Sequence, residues 1–429
     1  MAAPADSPAG SRTRRLALAV AGSAIAIAVA VPAVVSSDAR DRAGVVAKRV
    51  GGKADIREIT RTYGATAGDI NGDGHEDAVI VRHWAAFPRV YINRGNGRFV
   101  NIVPTHFPQR RVGARDRHDC PIGDVTGDGR ADIYCTIGGK KGGTAATPNE
   151  LWVQQEDGTF VNWRKSDFNL GAARNLYGRG RDARFLDANG DGYLDVYVLN
   201  AYPRKDGRSG KSRLFINEGG ERFVSALRHG FTNANREIGA NSLQATDYDG
   251  DGRTDLLVCG EKGVRLYRNF RERNFRDVTA RKQIRMGCVE ARLARIDRSG
   301  RPGLIRLGSQ ALTVHKQRPG GRFGPPVFRR RIGHAEAIAV GDSTGNRLAD
   351  IYVLRRGVRN RDKPDTMLLN RRRGREFRRV PIPQLRRGRG DAVTTIDHDG
   401  NGLADFIVMN GHRKVRGPVD LIAFQRRRR

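Results

Sequence analysis

Six short apolar runs punctuate the chain: AVIV (78–81), IYCT (133–136), VYVL (196–199), LLVC (256–259), IYVL (351–354) and FIVM (406–409). Each directly follows a loop rich in Asp and Gly, and short apolar runs bounded by turn residues read as strands. Upstream of the loops lie further strand-like stretches, such as ARFLD (183–187), AIAVGD (337–342) and VTTID (393–397), so each loop joins two antiparallel strands. A third strand and a turn ending in Phe come later in each unit, as in VYINRGNGRF (90–99), LWVQQEDGTF (151–160), LFINEGGERF (214–223), LYRNFRERNF (266–275) and MLLNRRRGREF (367–377). A fourth strand follows, clearest at FRDVT (275–279). No unit carries a helical period.

The loops are copies of one nonapeptide: DINGDGHED (69–77), DVTGDGRAD (124–132), DANGDGYLD (187–195), DYDGDGRTD (247–255), DSTGNRLAD (342–350) and DHDGNGLAD (397–405). A shortened copy, DRSGRPG, begins at Asp297. Seven copies with a mean spacing of (397 − 69)/6, or about 55 residues, predict an all-β, seven-bladed β-propeller of four-stranded blades. The last unit stops after its third strand, Leu421–Gln425, whereas Ile56–Thr60 matches FRDVT in pattern. The N-terminal strand is therefore expected to complete the last blade and close the ring, leaving no open sheet edge. On this reading residues 40–54 are a linker, 55–425 the propeller and 426–429 a basic tail.

Clustered carboxylates repel one another unless a cation sits among them. Ca²⁺ takes six to eight oxygens, which alternate residues of a tight Gly-containing loop can supply. Positions one, three, five and nine give the side chains and position seven a carbonyl. The expected sets are Asp69, Asn71, Asp73 and Asp77 with His75; Asp124, Thr126, Asp128 and Asp132 with Arg130; and Asp187, Asn189, Asp191 and Asp195 with Tyr193. Further along they are Asp247, Asp249, Asp251 and Asp255 with Arg253; Asp342, Thr344, Asn346 and Asp350 with Leu348; and Asp397, Asp399, Asn401 and Asp405 with Leu403. Thr126 weakens the second loop, and Thr344, Asn346 and Arg347 weaken the sixth. The fifth should be empty, so four to six calcium ions are expected. The alternative is that Asp and Gly serve only as turn residues.

Loops of the form D-x-[DN]-x-D-G-x-x-D between strands, with a later L-[FY]-x-N…G-x-F, resemble the FG-GAP/VCBS-repeat family over about residues 55–425. The resemblance implies an integrin-α-like seven-bladed propeller with calcium on its lower face and an extracellular interaction role. The Phe-Gly…Gly-Ala-Pro signature is poorly kept, so the VCBS-type branch is the closer match.

Composition adds a compartment and a charge. Residues 16–35 are uncharged and apolar, preceded by Arg12, Arg14 and Arg15, which fits either a cleaved export signal or a membrane anchor. Both place residues 40–429 outside the cytoplasm. Four cysteines permit two disulfides in three connectivities. Cys120 and Cys135 flank one tight loop, which favours a bridge between them and leaves Cys259 with Cys288; buried free thiols are the alternative.

With 78 Lys+Arg against 46 Asp+Glu, the formal charge is +32. In a four-stranded meander the Asp loops lie on the bottom, and the connections into each innermost strand lie on top. The top connections carry Trp84, Arg115, Arg117, His118, Arg181, Arg236 and Arg389, so an anionic polysaccharide or a cell-surface protein is the expected partner. No specific nucleic-acid partner is expected, and the protein should be a monomer. No zinc spacing, nucleophile elbow or phosphate loop appears. A non-catalytic binding or adhesion propeller is the first reading. The second is a calcium-dependent polysaccharide lyase or hydrolase, which convergence of His118 and Asp116 on one pocket would favour.

Overall fold

The computed structural model describes residues 45–139, 147–175, 178–200, 212–229, 240–260, 263–270, 274–282, 284, 286–355, 364–380, 382, 390–411 and 416–426. Seven antiparallel sheets, each with four strands in meander order, form the blades of a β-propeller. Their innermost strands are Thr62–Gly68, Ile122–Gly123, Gly180–Leu186, Ala240–Thr246, Glu290–Ala294, Ala335–Gly341 and Ala392–Ile396. Two extra strands lie off this pattern. Arg115–Asp116 pairs with the end of the second strand of blade 1, and Ile59–Thr60 pairs with the start of Gly417–Arg426.

The ring closes as expected in kind but not in register. The outermost strand of blade 7 is Val45–Arg49, which runs antiparallel to Ile422–Arg426, rather than Ile56–Thr60. Blade 7 therefore begins inside the stretch expected to be linker. The physical reason is length: Gly417–Arg426 has ten residues, enough to pair with Val45–Arg49 at one end and Ile59–Thr60 at the other.

Seven hydrophobic clusters fill the seven blade interfaces. Between blades 1 and 2, Phe107 stacks on Phe160 at 4.6 Å and meets Trp152, with Phe87 edge-on to the same indole. The Phe that ends each third-to-fourth turn (Phe99, Phe160, Phe223, Phe275 and Phe377) is buried in such a cluster. Both cysteine pairs are disulfides. Cys120–Cys135 ties the segment just before the first strand of blade 2 to its second strand, and Cys259–Cys288 staples blade 4 to blade 5.

The inner strands are tied by side chains rather than by a shared ladder. Asp119 accepts from Ala183 N, Asp182 from Leu243 N, Gln244 from Leu293 N and Glu290 from Ile338 N, at 3.1, 2.9, 2.7 and 2.6 Å. In each case a residue of one blade satisfies an edge N–H of the next, which would otherwise be buried without a partner.

Candidate functional site

On the bottom face the Asp loops share one hydrogen-bond scheme. Asp69 Oδ1 accepts from Gly72 N and Asp73 N, Asp69 Oδ2 from Gly74 N, and Asp73 Oδ1 from His75 N. Asp124 and Asp247 repeat the first-position scheme, and Asp128, Asp191 and Asp251 repeat the fifth. Asp187 accepts from Gly190 N and Gly192 N, and Asn189 and Asn71 donate to the fifth-position Asp beside them. In the sixth and seventh loops Asn346 and Asn401 accept from Leu348 N and Leu403 N, and Thr344 donates to Asp342. The left-handed turns that allow this are Gly at positions four and six, with Arg347 taking φ 64° where the other full-length loops have Gly.

The ninth-position carboxylates also bond beyond the loop. Asp77, Asp132, Asp195, Asp255, Asp350 and Asp405 are fully buried, and each accepts one backbone N–H from its own loop and one from the third strand. They pin the loop to the blade. Burial pushes Asp77, Asp132 and Asp255 up to about 7 and Asp350 to about 8; the backbone N–H donors oppose this, and nearby loop acids add to it. Asp405 is also raised by burial, and its neighbour His398 donates to it from Nδ1.

Protein cations reach several loops, which the Asp pattern alone does not reveal. Arg130 pairs with Asp128, Arg253 with Asp251, and Arg268 with both Asp249 (2.7 Å) and Asp251 (2.8 Å). In the short fifth loop Lys316 Nζ lies 2.9 Å from Asp297. Arg268 and Lys316 each immediately precede the third-strand Asn or Gln, a position that is apolar in blade 1 (Ile92) and blade 3 (Ile216). That offset is the signal a sequence reader could have used. The donor set nevertheless suits calcium: oxygen atoms of Asp247, Asp249 and Asp251 gather within 4.8 Å of one another.

On the top face a cavity of about 450 Å³ lies on the ring axis, lined from all seven blades. Blades 1, 3, 4 and 6 each carry a bulge near the top of the innermost strand, between Thr62 and Gly64, Gly180 and Asp182, Ala240 and Ser242, and Ala335 and Ala337. The extra residues, Tyr63, Arg181, Asn241 and Glu336, all line the cavity, because a bulge re-aims the inserted side chain.

The cavity is not the basic basin expected from the top-face sequence. Asp119, Asp182, Glu290, Glu336 and Asp391 line it beside Arg181, Arg184 and Arg292. Arg184 bonds to Asp119 (2.7 Å) and Asp182 (2.6 Å), and Arg292 pairs with Glu290. Arg115 and Arg117 are spent internally. Arg117 is fully buried and grips Glu150 at 2.7 and 3.1 Å, with Arg115 on the same carboxylate. Trp84 is 45% exposed and holds φ 51°. Arg236 and Arg389 lie outside the described residues.

The structure does bring His118 and Asp116 together, and adds His83. His83 Nδ1 lies 2.8 Å and His118 Nε2 3.2 Å from Asp116 Oδ1, with all three side chains at least nine-tenths buried. Tyr63 stacks on His118 at 3.9 Å, and Arg181 lies over the Tyr63 ring. Burial lowers the His118 pKa against the pull of Asp116. Burial would raise Asp116, but the two imidazoles that face its carboxylate outweigh this and hold it below the ordinary carboxylate range.

This architecture defines a seven-bladed propeller with an Asp-rich loop between the first two strands of its blades. The FG-GAP-like repeat model matches residues 69–135, 124–198 and 187–258, and the chain carries FG-GAP-like repeats. Cartilage acidic protein 1 of Mus musculus is 25% identical over 150 residues, which is 34% of this chain and 23% of that protein, so less than a quarter of the relative is matched. Among solved structures, BBS1N in complex with ARL6DN is 12% identical, covering 86% of this chain and 94% of that chain with a TM-score of 0.50, a likeness of fold. An Agrocybe aegerita lectin that recognises non-reducing terminal N-acetylglucosamine is 17% identical, covering 75% and 79% with a TM-score of 0.48.

Proposed function

We propose that the protein is an exported, calcium-loaded propeller that acts as a non-catalytic binding module for anionic polymers outside the cell. The observation that carries this reading is the repeated loop cage. Asp69, Asp124, Asp187, Asp247, Asp342 and Asp397 each hold two or more loop N–H groups with the first-position carboxylate, and third- and fifth-position oxygens stand beside it. Calcium bound there would neutralise the clustered acids and fix each hairpin. Export is supported by the apolar run at 16–35, which lies outside the described residues, and by the two disulfides.

The anionic partner is favoured by the +32 charge and by where the free cations stand. The internal ion pairs take Arg115, Arg117, Arg184 and Arg292 out of play. Exposed arginines instead line the outermost strands of blades 5 and 6, at Arg329, Arg331, Arg378 and Arg379. The test is retention of the calcium-loaded protein on sulfated and uronate polysaccharide columns. Retention that falls with salt, and falls further in a variant with these four arginines changed to Ser, is expected; passage through both columns at low salt contradicts the reading.

A second reading, polysaccharide lyase, is favoured by one observation: Tyr63, His118 and Arg181 share the cavity wall with Asp116 behind them. Release of unsaturated ends from a uronate polymer would support it, and its absence across uronate substrates would remove it.

A further inference from the structure

We propose that His83, Asp116 and His118 form a binding site for one divalent d-block cation of the Zn²⁺ class, separate from the calcium loops and on the opposite face of the propeller. Three observations point to a shared cation.

The first is distance. Zn²⁺ holds His nitrogen and carboxylate oxygen at about 2.0–2.2 Å, which puts neighbouring ligand atoms about 2.9 Å apart for right-angled and about 3.4 Å for tetrahedral geometry. The edges here are 2.8 and 3.2 Å, and all three ligand atoms lie within 4.8 Å of one another.

The second is direction. His83 Nδ1 and Asp116 Oδ1 are buried and 2.8 Å apart, but neither makes a hydrogen bond, because they are not aligned with each other. Two buried polar atoms that close, aimed past one another, are costly unless something between them satisfies both.

The third is tautomer. His118 Nδ1 lies 2.7 Å from the carbonyl of Gly180, an acceptor only, so Nδ1 carries the proton. The neutral ring then turns the Nε2 lone pair toward the carboxylate, an arrangement that a cation satisfies and that metal-bound histidines commonly show. Gly138 keeps the cluster compact: a Cβ there would sit 2.2 Å from His118 Cε1 and 2.8 Å from Asp116 Oδ2.

Two neutral imidazoles and one carboxylate would leave an open coordination position, as at zinc sites with three protein ligands. Arg179 and Arg181 are close enough to act on Asp116 and His118. Their charge favours an anion, hydroxide or carboxylate, in that position.

The experiment uses the tag-free, disulfide-bonded protein with its calcium loops saturated, so that only a second class of site remains. Titration with Co²⁺ is followed by visible absorption, then Zn²⁺ is added in competition. One equivalent of Co²⁺ with a ligand-field band, displaced by one equivalent of Zn²⁺, is expected. His83→Ala and His118→Ala should each weaken binding at least tenfold, with native far-ultraviolet dichroism retained. Should either variant not fold, zinc-edge X-ray absorption of the wild-type complex decides the matter by showing imidazole scattering from two histidines or not. No band and no retained zinc in the wild-type protein overturns the proposal. So does binding that both variants keep, since the triad would then be an internal hydrogen-bonded cluster and nothing more.

Discussion

The side-chain amide of Asn93 donates to the backbone carbonyl of His398 at 2.9 Å across 305 residues of sequence, joining the third strand of blade 1 to the Asp loop of blade 7. The same clip recurs around the ring. Asn217 donates to Val125 O, Asn269 to Ala188 O and Gln317 to Tyr248 O, each reaching the second residue of the preceding blade's loop, and Asn370 donates to Ile296 O, the residue just before the shortened fifth loop. The Asn that marks the third strand in sequence is thus an inter-blade tie.

Asn93→Ala should cost roughly 1–3 kcal/mol, because it leaves a buried carbonyl without its donor. Asn269→Ala lies on another blade interface, and the two losses should add to within about half a kcal/mol. Urea unfolding of both single variants and the double variant measures this. A null effect in each would mean that water replaces the clip without loss.

Calcium-depleted protein should lose stability as pH rises from about 5 to 8. The folded carboxyls of Asp77, Asp132 and Asp255 titrate near 7 and that of Asp350 near 8, above the value of about 3.9 for an unfolded Asp. Between those limits the folded state holds protons that the unfolded state releases, so the slope of stability against pH is negative. Saturating calcium, which competes with those protons, should flatten it. Urea midpoints across this range, with and without calcium, give the answer; a midpoint that climbs with pH in the depleted protein contradicts the account.

Arg347→Gly should stabilise the protein. Arg347 holds φ 64°, in a loop position that is Gly in the other full-length copies. A left-handed non-Gly residue costs roughly 1–2 kcal/mol, and the added freedom of Gly in the unfolded chain returns about half of that. The expected gain is several tenths of a kcal/mol, read as a raised urea midpoint.

Lys316 pairs with Asp297 in the fifth blade, whose shortened loop is not among those proposed to hold calcium. Burial pushes Asp297 up, and the Ser299 and Lys316 contacts outweigh it to hold the carboxyl below its usual range. Lys316→Met should therefore destabilise by roughly 1–2 kcal/mol, between the surface and buried limits for an ion pair. The loss should be equal with and without calcium. Asp187→Asn should differ: it loses one of the two loop N–H acceptors with or without calcium, and should cost more in the calcium-loaded protein.

Much of this was legible in the chain. Period-two apolar runs and repeated Asp-Gly turns give seven four-stranded blades, because strand burial and left-handed turns depend on nearby residues. The closing strand is not legible locally, because Ile56–Thr60 and Val45–Arg49 are both short and β-competent, and only their contact with Gly417–Arg426 separates them. The pairing of Arg115 and Arg117 is hidden for a similar reason. Glu150 lies 33 residues from Arg117, and nothing local indicates that they meet inside the fold. His83 could not be joined to Asp116 and His118 from spacing, since a second strand and a later connection bring them together only when blades 1 and 2 pack.

The central claim is that calcium holds the ring, and a thermal melt of the secreted, disulfide-bonded protein against free calcium tests it most directly, paired with metal analysis after dialysis. Four to six bound ions and a melting temperature that rises steadily with calcium are the predicted result, since ligand bound only to the folded state stabilises it by mass action. Fewer than two bound ions with an unchanged melting temperature would contradict it, and would leave the Asp loops as turns held by their own N–H groups and neighbouring arginines.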